Sequence, residues 1–164
     1  MGNRAVITAS RSRDIKRSDS IGVYLHWNGG YDSVSAFLKY CELKGYRSPD
    51  TDCYGWARLC QVIGNFFGGD TSIGIDRCCT LDCDNYDNGV YIIKGWKIVG
   101  REYKRSFEQK NYDLLEMLKA INEAQPEKER LDEQVLIEAI LKESGAPSPD
   151  QEKEATPHDP EQDQ

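Results

Sequence analysis

The sequence lacks the features that mark membrane and exported proteins. Its 164 residues hold no apolar run approaching the roughly 18 residues that a membrane-spanning helix needs. The first seven residues contain no long apolar stretch of the secretory type, and no Asn-x-Ser/Thr glycosylation acceptor occurs anywhere. We therefore expect a cytoplasmic protein without membrane contacts.

The cysteines lack a metal-binding pattern. A zinc site could draw on Cys78, Cys79, Cys83 and His26, but no Cys-x-x-Cys pair is present to anchor it. The acidic loop 82–89 is also unlike an EF-hand calcium loop, because its sixth position is not glycine. We predict reduced thiols, and neither a metal nor a cofactor.

Negative charge is concentrated toward the C-terminal end. Residues 1–20 hold five basic and two acidic side chains, and residues 21–105 hold ten of each. Residues 106–164 hold six basic and sixteen acidic side chains. This asymmetry predicts a compact α/β body over 1–105, an acidic helical extension over 106–145 and a disordered tail over 146–164.

The order of the predicted elements indicates the fold class. A helix that starts near Asp32 and ends before Gly45, and a second helix over 52–67, separate the second strand from the third. We predict an α+β fold, in which a small antiparallel or mixed sheet packs with two helices and the acidic extension follows. β-branched and alternating segments predict strands at 5–9, 21–27 and 72–77. Residues 90–94 and 96–103 predict either two strands or one strand that is kinked at Gly95.

Apolar side chains repeat at helical spacing in both body helices. We expect Asp32 to cap the first helix by accepting a hydrogen bond from an early N–H group. The first helix has one apolar face, formed by Val34, Phe37, Leu38 and Cys41. The second has another, formed by Trp56, Leu59, Cys60, Ile63 and Phe67.

The extension carries two further helical stripes. Residues 112–123 place Leu114, Leu118 and Ile121 on one face, and residues 127–144 predict a second helix. The pattern leaves three arrangements open: the helices pair with each other, they dock on the body, or they await a partner.

The strongest local feature is a strand that leads through a glycine turn into a helix, at residues 24–33. Exposed N–H groups and the helix dipole suit an anion at such a place. The string 28–33 resembles the Ser-Gly-Gly-x-Asp-Ser loop of PP-loop ATP pyrophosphatases, with asparagine in place of the first serine. That resemblance implies a loop that holds pyrophosphate, and the alternative is a tight structural turn. The candidate anion-binding residues are His26, Asn28, Gly29, Gly30, Asp32 and Ser33.

Acidic residues of the extension form a second candidate site. A segment with ten more acidic than basic side chains could imitate nucleic-acid phosphates and occupy a basic groove. The alternative is that these charges keep two amphipathic helices soluble. The candidate partner-binding residues are Glu127, Glu129, Asp132, Glu133 and Glu138.

Strings at 24–29, 56–59, 74–76 and 88–93 together resemble small proteins encoded by phages and prophages of Firmicutes-type bacteria. The resemblance covers about residues 1–105 and supplies no catalytic residues. It implies a phage accessory protein acting in the cytoplasm of a bacterial host, a context rich in inhibitors of host defence such as anti-CRISPR proteins. We therefore expect a non-enzymatic interaction protein that binds a host protein or ribonucleoprotein complex without contacting nucleic acid directly. The competing hypothesis is a nucleotide- or anion-binding domain, with or without catalytic activity, that uses the glycine turn.

Overall fold

In the part of the chain that the structure describes, five strands form one mixed sheet. They are β1 (Ala5–Thr8), β2 (Ile21–Leu25), β3 (Ile73–Arg77), β4 (Val90–Lys94) and β5 (Lys97–Glu102). Their order across the sheet is β3-β2-β1-β4-β5, and β1 and β4 run parallel while the other neighbours run antiparallel. The predicted α+β class is confirmed. The structure is a computed structural model that describes residues 2–10, 13–70, 72–102 and 113–145.

The described residues also contain four α-helices. They are α1 (Tyr31–Leu43), α2 (Cys53–Phe66), α3 (Leu114–Ala124) and α4 (Glu133–Glu143). α1 and α2 occupy the long connection between β2 and β3, as predicted, and α3 follows β5. Within the described residues, none of the helices has the length and apolar character needed to cross a membrane.

α1 is the most enclosed helix of the fold. The predicted apolar face of Val34, Phe37, Leu38 and Cys41 is buried. Tyr40 is buried as well, because α1 contacts α2, α3 and β5 at once. A helix covered on several sides needs more buried positions than the single stripe of a surface helix.

The central strand β1 is covered on both faces, since all four of its residues are buried. One of the two covers is an apolar cluster of Val6, Ile15, Cys78, Cys83 and Val90. Ile15 belongs to a short 3-10 helix, Ile15–Arg17, in the connection between β1 and β2. This cluster holds the loop that precedes β4 against the sheet.

α3 packs against α1 and α2 in the same compact unit as the sheet. Its side chains Leu118 and Ile121 are fully buried, and the Tyr40 hydroxyl donates a hydrogen bond to Asn122 Oδ1 at 3.1 Å. The described residues up to Leu131 form this first unit, and those from residue 132 onward form a second unit. The predicted boundary after residue 105 and the predicted disordered tail 146–164 both lie outside the described residues.

The prediction of one continuous helix over 127–144 is wrong. A 3-10 helix spans Glu127–Glu129, and α4 begins only at Glu133. Arg130 and Asp132 have extended backbone angles, and the side-chain amide of Asn122 exchanges two hydrogen bonds with the backbone of the residue between them. These two bonds satisfy backbone groups that a continuous helix would have paired internally. The acidic candidates Glu127 and Glu129 therefore lie outside α4.

Candidate functional site

Most of the candidate residues meet at one end of the sheet. β1, β3 and β4 begin at this end and β2 and β5 finish there, as their pairing directions require. α1 also starts here, directly after β2. We call this region the sheet end and define it as residues 2–4, 24–33 and 87–91.

The turn between β2 and α1 is fixed to neighbouring strands by hydrogen bonds. Asn3 N donates to His26 O at 3.1 Å, and Gly29 N donates to Asn3 O at 2.8 Å. The buried Tyr91 hydroxyl donates to Gly29 O at 2.8 Å. A Cβ atom on Gly29 would lie 2.6 Å from Asn3 O, so this close approach requires glycine. The turn is therefore held in one conformation by the strands beneath it.

Asn28 and Ser33 tie this turn to the helices. Asn28 has a φ of 56°, in the left-handed region that asparagine tolerates better than most residues. Its Nδ2 donates to Ser33 Oγ at 3.4 Å, and the buried Ser33 hydroxyl donates to Met117 Sδ of α3 at 3.9 Å. Both side chains therefore have a structural role in this turn.

The structure brings the predicted anion-binding residues together, but the donors of Asn28, Gly29 and Ser33 already bond within the chain. Gly30 is the N-cap of α1, whereas Asp32, the expected N-cap, lies in the first turn of the helix. Its carboxylate sits where the helix dipole would attract an anion. The N–H group of Gly29 is already bonded to the backbone of the N-terminal segment. Anion binding by residues 28–33 stays a prediction.

His26 is exposed and lies among aromatic side chains. Its Nδ1 is 3.1 Å from the Tyr24 hydroxyl, and the Trp27 ring meets it edge-on with 5.0 Å between ring centroids. Burial raises the pKa of Tyr24, and the positive charge of Arg4 opposes that rise. In the part of the chain that the structure describes, no serine or cysteine hydrogen-bonds the imidazole.

The sheet end presents two large aromatic side chains to solvent. Trp27 is 42% exposed and Tyr31 is 41% exposed, and they flank the fixed turn. The Tyr31 ring lies 6.4 Å from the Tyr91 ring, and the Arg101 guanidinium lies 4.6 Å above the centre of Tyr91. Exposed aromatic side chains on a rigid support are typical anchors of protein interfaces, because they bury a large area at a small cost in conformational entropy.

An ion pair joins the start of β1 to the loop before β4. Arg4 Nε donates to Asp87 Oδ2 at 2.6 Å, and Arg4 Nη1 lies 3.7 Å from Asp82 Oδ2. Partial burial tends to raise the pKa of Asp87, but the hydrogen bonds from Arg4 outweigh that effect and hold this pKa below its usual value. The charges at this edge of the sheet end are thus largely neutralised.

The loop before β4 is organised by a buried asparagine. Asn85 Nδ2 donates to the carbonyls of Asp82 and Gly89, and its Oδ1 accepts from the N–H groups of Asp87 and Gly89. Burial raises the pKa of the neighbouring Cys83 thiol to about 11, which keeps it protonated and unreactive near neutral pH. Over the described ranges, no group of three or more His, Cys, Asp or Glu residues is placed to hold a metal ion.

A cavity of about 210 Å³ lies beside this loop. Charged side chains of both signs line it, including Lys16, Asp84, Asp87 and Glu102. Lys16 Nζ is 2.7 Å from Asp84 Oδ2, and Asp87 is paired with Arg4. Because Lys16 is paired with Asp84 and Asp87 is paired with Arg4, the cavity points to no particular class of ligand.

Of the two acidic candidates in the first unit, Glu129 is paired with a lysine, whereas Glu127 has an exposed side chain. Glu129 Oε2 lies 3.3 Å from Lys44 Nζ, and the same ammonium group donates to the Glu129 carbonyl at 2.7 Å. The Lys44 side chain is only 15% exposed, so this pair is more structural than a typical surface ion pair. Glu127 is exposed in the 3-10 helix.

The acidic candidates of the second unit do not form one row. Asp132 is the N-cap of α4, and Glu133 lies in its first turn. Glu138 accepts a hydrogen bond from Gln134, one helical turn away. Glu133 and Glu138 are five positions apart, which places them about 140° apart around an α-helix. A phosphate-like row would need closer alignment along one face.

No family model, curated protein or solved structure matches this chain. The sequence pattern selected His26 and the turn glycines but missed Tyr31, because no local signal shows whether the first side chain of the helix faces solvent or the core. The proximity of Arg4 to Tyr24 depends on strand pairing, and no local signal carries it.

Proposed function

We propose that this chain is a non-enzymatic interaction protein that binds a partner protein through the sheet end. The observation that carries the proposal is the exposure of Trp27 and Tyr31 on a turn that Asn3, Gly29 and Tyr91 hold in place. Preorganised aromatic anchors lose little entropy on binding, so more of their contact energy appears as affinity.

The composition of the sheet end favours a protein over a nucleic acid as the direct contact. The sheet end exposes the aromatic side chains of Trp27 and Tyr31, and its Arg4 and Asp87 side chains neutralise each other in an ion pair. An apolar centre with a polar rim is typical of protein interfaces, whereas phosphate backbones need a surplus of positive charge. A host-defence protein, alone or within a ribonucleoprotein complex, is the partner class that agrees with the resemblance to phage proteins, and occupation of its surface would inhibit it.

Acidic mimicry by the extension is a second mechanism within the same interaction class. Residues 113–145 hold nine acidic and four basic side chains, which favours contact with a basic surface. The Lys44–Glu129 pair and the spread of Glu133 and Glu138 around α4 weaken this mechanism. We therefore place the main contact at the sheet end and assign the acidic residues a supporting role.

Anion or nucleotide binding at the turn is the alternative function. α1 starts at Gly30, which has no side chain to cap the early N–H groups, and this favours a phosphate there. Asp32 in the first turn opposes it. A rise in melting temperature with ATP or pyrophosphate, abolished in an Asn28→Ala variant, would support the alternative, and a flat response to both would remove it.

The interaction is tested by capture from a lysate of a Firmicutes host, with the tagged full-length chain as bait. Trp27→Ala and Tyr31→Ala should each lose the captured partner, because each removes a central anchor. Tyr54→Ala is the matched control, since Tyr54 is 62% exposed but lies on α2, outside the sheet end.

The result must separate these variants. Loss of the same protein band from both sheet-end variants, with retention by the control, supports the proposal. Equal capture by all three variants overturns it, and circular dichroism of each variant verifies that the fold is intact.

A further inference from the structure

The two edge strands of the sheet differ in how they are protected. β5 carries the charges Lys97, Arg101 and Glu102, and its pairing with β4 contains a register shift between Ile92 and Ile93. Charged side chains and bulges are the usual means by which proteins prevent edge-to-edge pairing. β5 is therefore a protected edge.

β3 forms the opposite edge and lacks that protection along most of its length. Its first three residues, Ile73, Gly74 and Ile75, carry no charge. The Ile75 side chain is 56% exposed, and Ile21 of the neighbouring strand is 44% exposed on the same face. In the described residues, no segment pairs with the outer side of β3.

The hydrogen bonds to β2 determine which backbone groups of β3 face outward. His26 N donates to Ser72 O, and Cys78 N donates to Ser20 O, so even-numbered residues of β3 bond to β2. The N–H and C=O groups of Ile73, Ile75 and Arg77 therefore point away from the sheet.

The outward groups of Arg77 are already satisfied within the chain. Its N–H donates to Asp76 Oδ1 at 2.7 Å, and its carbonyl accepts from Thr80 Oγ1 at 2.8 Å. The free outward run is thus short and consists of the backbone groups of Ile73 and Ile75, centred on Gly74.

We infer that β3 pairs antiparallel with β3 of a second copy of this chain, with the two-fold axis at Gly74. In that register Ile73 of each copy stands opposite Ile75 of the other, and each such pair exchanges both of its N–H···O bonds. The outward N–H and C=O groups of Ile73 and Ile75 in one copy thus bond to those of Ile75 and Ile73 in the other. The hydrogen bonds of Arg77 to Asp76 and Thr80 stay intact. The Ile75 side chain, which is exposed in the single chain, packs against Ile73 of the second copy in the dimer.

The pairing also avoids like charges. Asp76 stands opposite Ser72 of the second copy, and Gly74 stands opposite itself, so no two charged side chains of one sign face each other. This homodimer is independent of the partner site proposed above, because it uses the β3 edge rather than Trp27 and Tyr31.

The test is sedimentation equilibrium of the full-length chain over a wide concentration range. The wild-type mass should rise toward that of two chains. Ile75→Lys should raise the dissociation constant at least about tenfold, because the two introduced lysines lie diagonal to each other across the Gly74 pair. Val99→Lys is the matched control, since Val99 is 60% exposed on the protected β5 edge and its change should leave the dimer intact.

A second variant tests the backbone ladder itself. Ile75→Pro removes an outward N–H group without breaking a bond to β2, a position at which edge strands tolerate proline, and it should also dissociate the dimer. A wild-type mass of one chain at every concentration overturns the inference. So does an Ile75→Lys variant that associates as well as wild type, or an equal loss of association in Val99→Lys.

Discussion

The boundary between the two units does not coincide with the change in net charge along the chain. The first unit ends at Leu131 and the second begins at Asp132. Acidic residues become dominant after residue 105, yet α3 lies beyond that point and belongs to the first unit. Its buried Leu118 and Ile121 are as enclosed as any side chain of the sheet. Net charge reports on the solvent-facing positions of a helix, whereas its packing depends on the stripe that faces inward.

This difference limits the part of the acidic segment that can act independently of the folded core. An acidic appendage that could be removed after residue 105 would be free to act alone, but α3 is part of the core that supports the sheet. Within the described residues, the acidic candidates that remain for an independent role are the exposed Glu127 and, in α4, Glu133 and Glu138. The sheet end, by contrast, has exposed aromatic residues on a fixed turn.

Truncation should have the largest effect on stability, because it separates the boundary set by net charge from the boundary set by packing. A chain that ends at residue 106 should fail to fold cooperatively, because the loss of Leu118 and Ile121 alone is expected to cost about 3–6 kcal/mol, a large part of the stability of a small domain. A chain that ends at Leu131 keeps the complete first unit and should show one cooperative transition. Urea denaturation followed by circular dichroism measures both. A cooperative transition in the shorter chain would contradict the role assigned to α3.

The fixed turn predicts an effect of intermediate size. Gly29→Ala should destabilise the fold by about 2–3 kcal/mol, because its Cβ would lie 2.6 Å from Asn3 O and 2.7 Å from Ala5 Cβ. Gly30→Ala is the matched control, since the nearest atom to its Cβ is 3.7 Å away, and it should cost no more than about 1 kcal/mol. Thermal denaturation of the two variants compares them. Equal losses would show that the turn is not anchored as described.

The ion pair beside the sheet end predicts the smallest effect. The pKa of Asp87 is held below its unfolded-state value, so its contribution to stability is present above about pH 4 and is lost as the pH falls through the folded-state pKa. Asp87→Asn should lower the melting temperature at pH 7, and the difference from wild type should shrink on acidification. Asp82→Asn is the control, because Asp82 is more exposed and 3.7 Å from Arg4. A difference that persists at pH 2 would contradict the charge-based explanation.

Much of the fold could be predicted from the sequence because its signals are local. The apolar faces of α1 and α2 follow helical spacing, and Gly45 ends α1 as a residue that adopts positive φ without strain. The break between the 3-10 helix and α4 could not be predicted, because Asn122 competes for backbone groups nine residues away in sequence. The first-unit boundary depends on the same tertiary contacts.

Less of the candidate site could be predicted. The glycine turn and His26 were evident, because a strand, two glycines and a helix follow one another directly. The exposure of Trp27 and Tyr31 was not, since either could have turned into the core. The bond of Tyr91 to the turn joins residues 62 positions apart and exists only once β4 pairs with β1.

The central claim is that the sheet end, and not the acidic extension, makes the main contact with the partner. Once the partner has been captured, titration calorimetry with full-length variants tests this claim directly. Trp27→Ala should weaken binding by about 30-fold, which corresponds to about 2 kcal/mol. Combined Asp132→Asn, Glu133→Gln and Glu138→Gln should change it less than about threefold. The reverse order of effects, with binding lost in the charge variant and kept by Trp27→Ala, would contradict the claim.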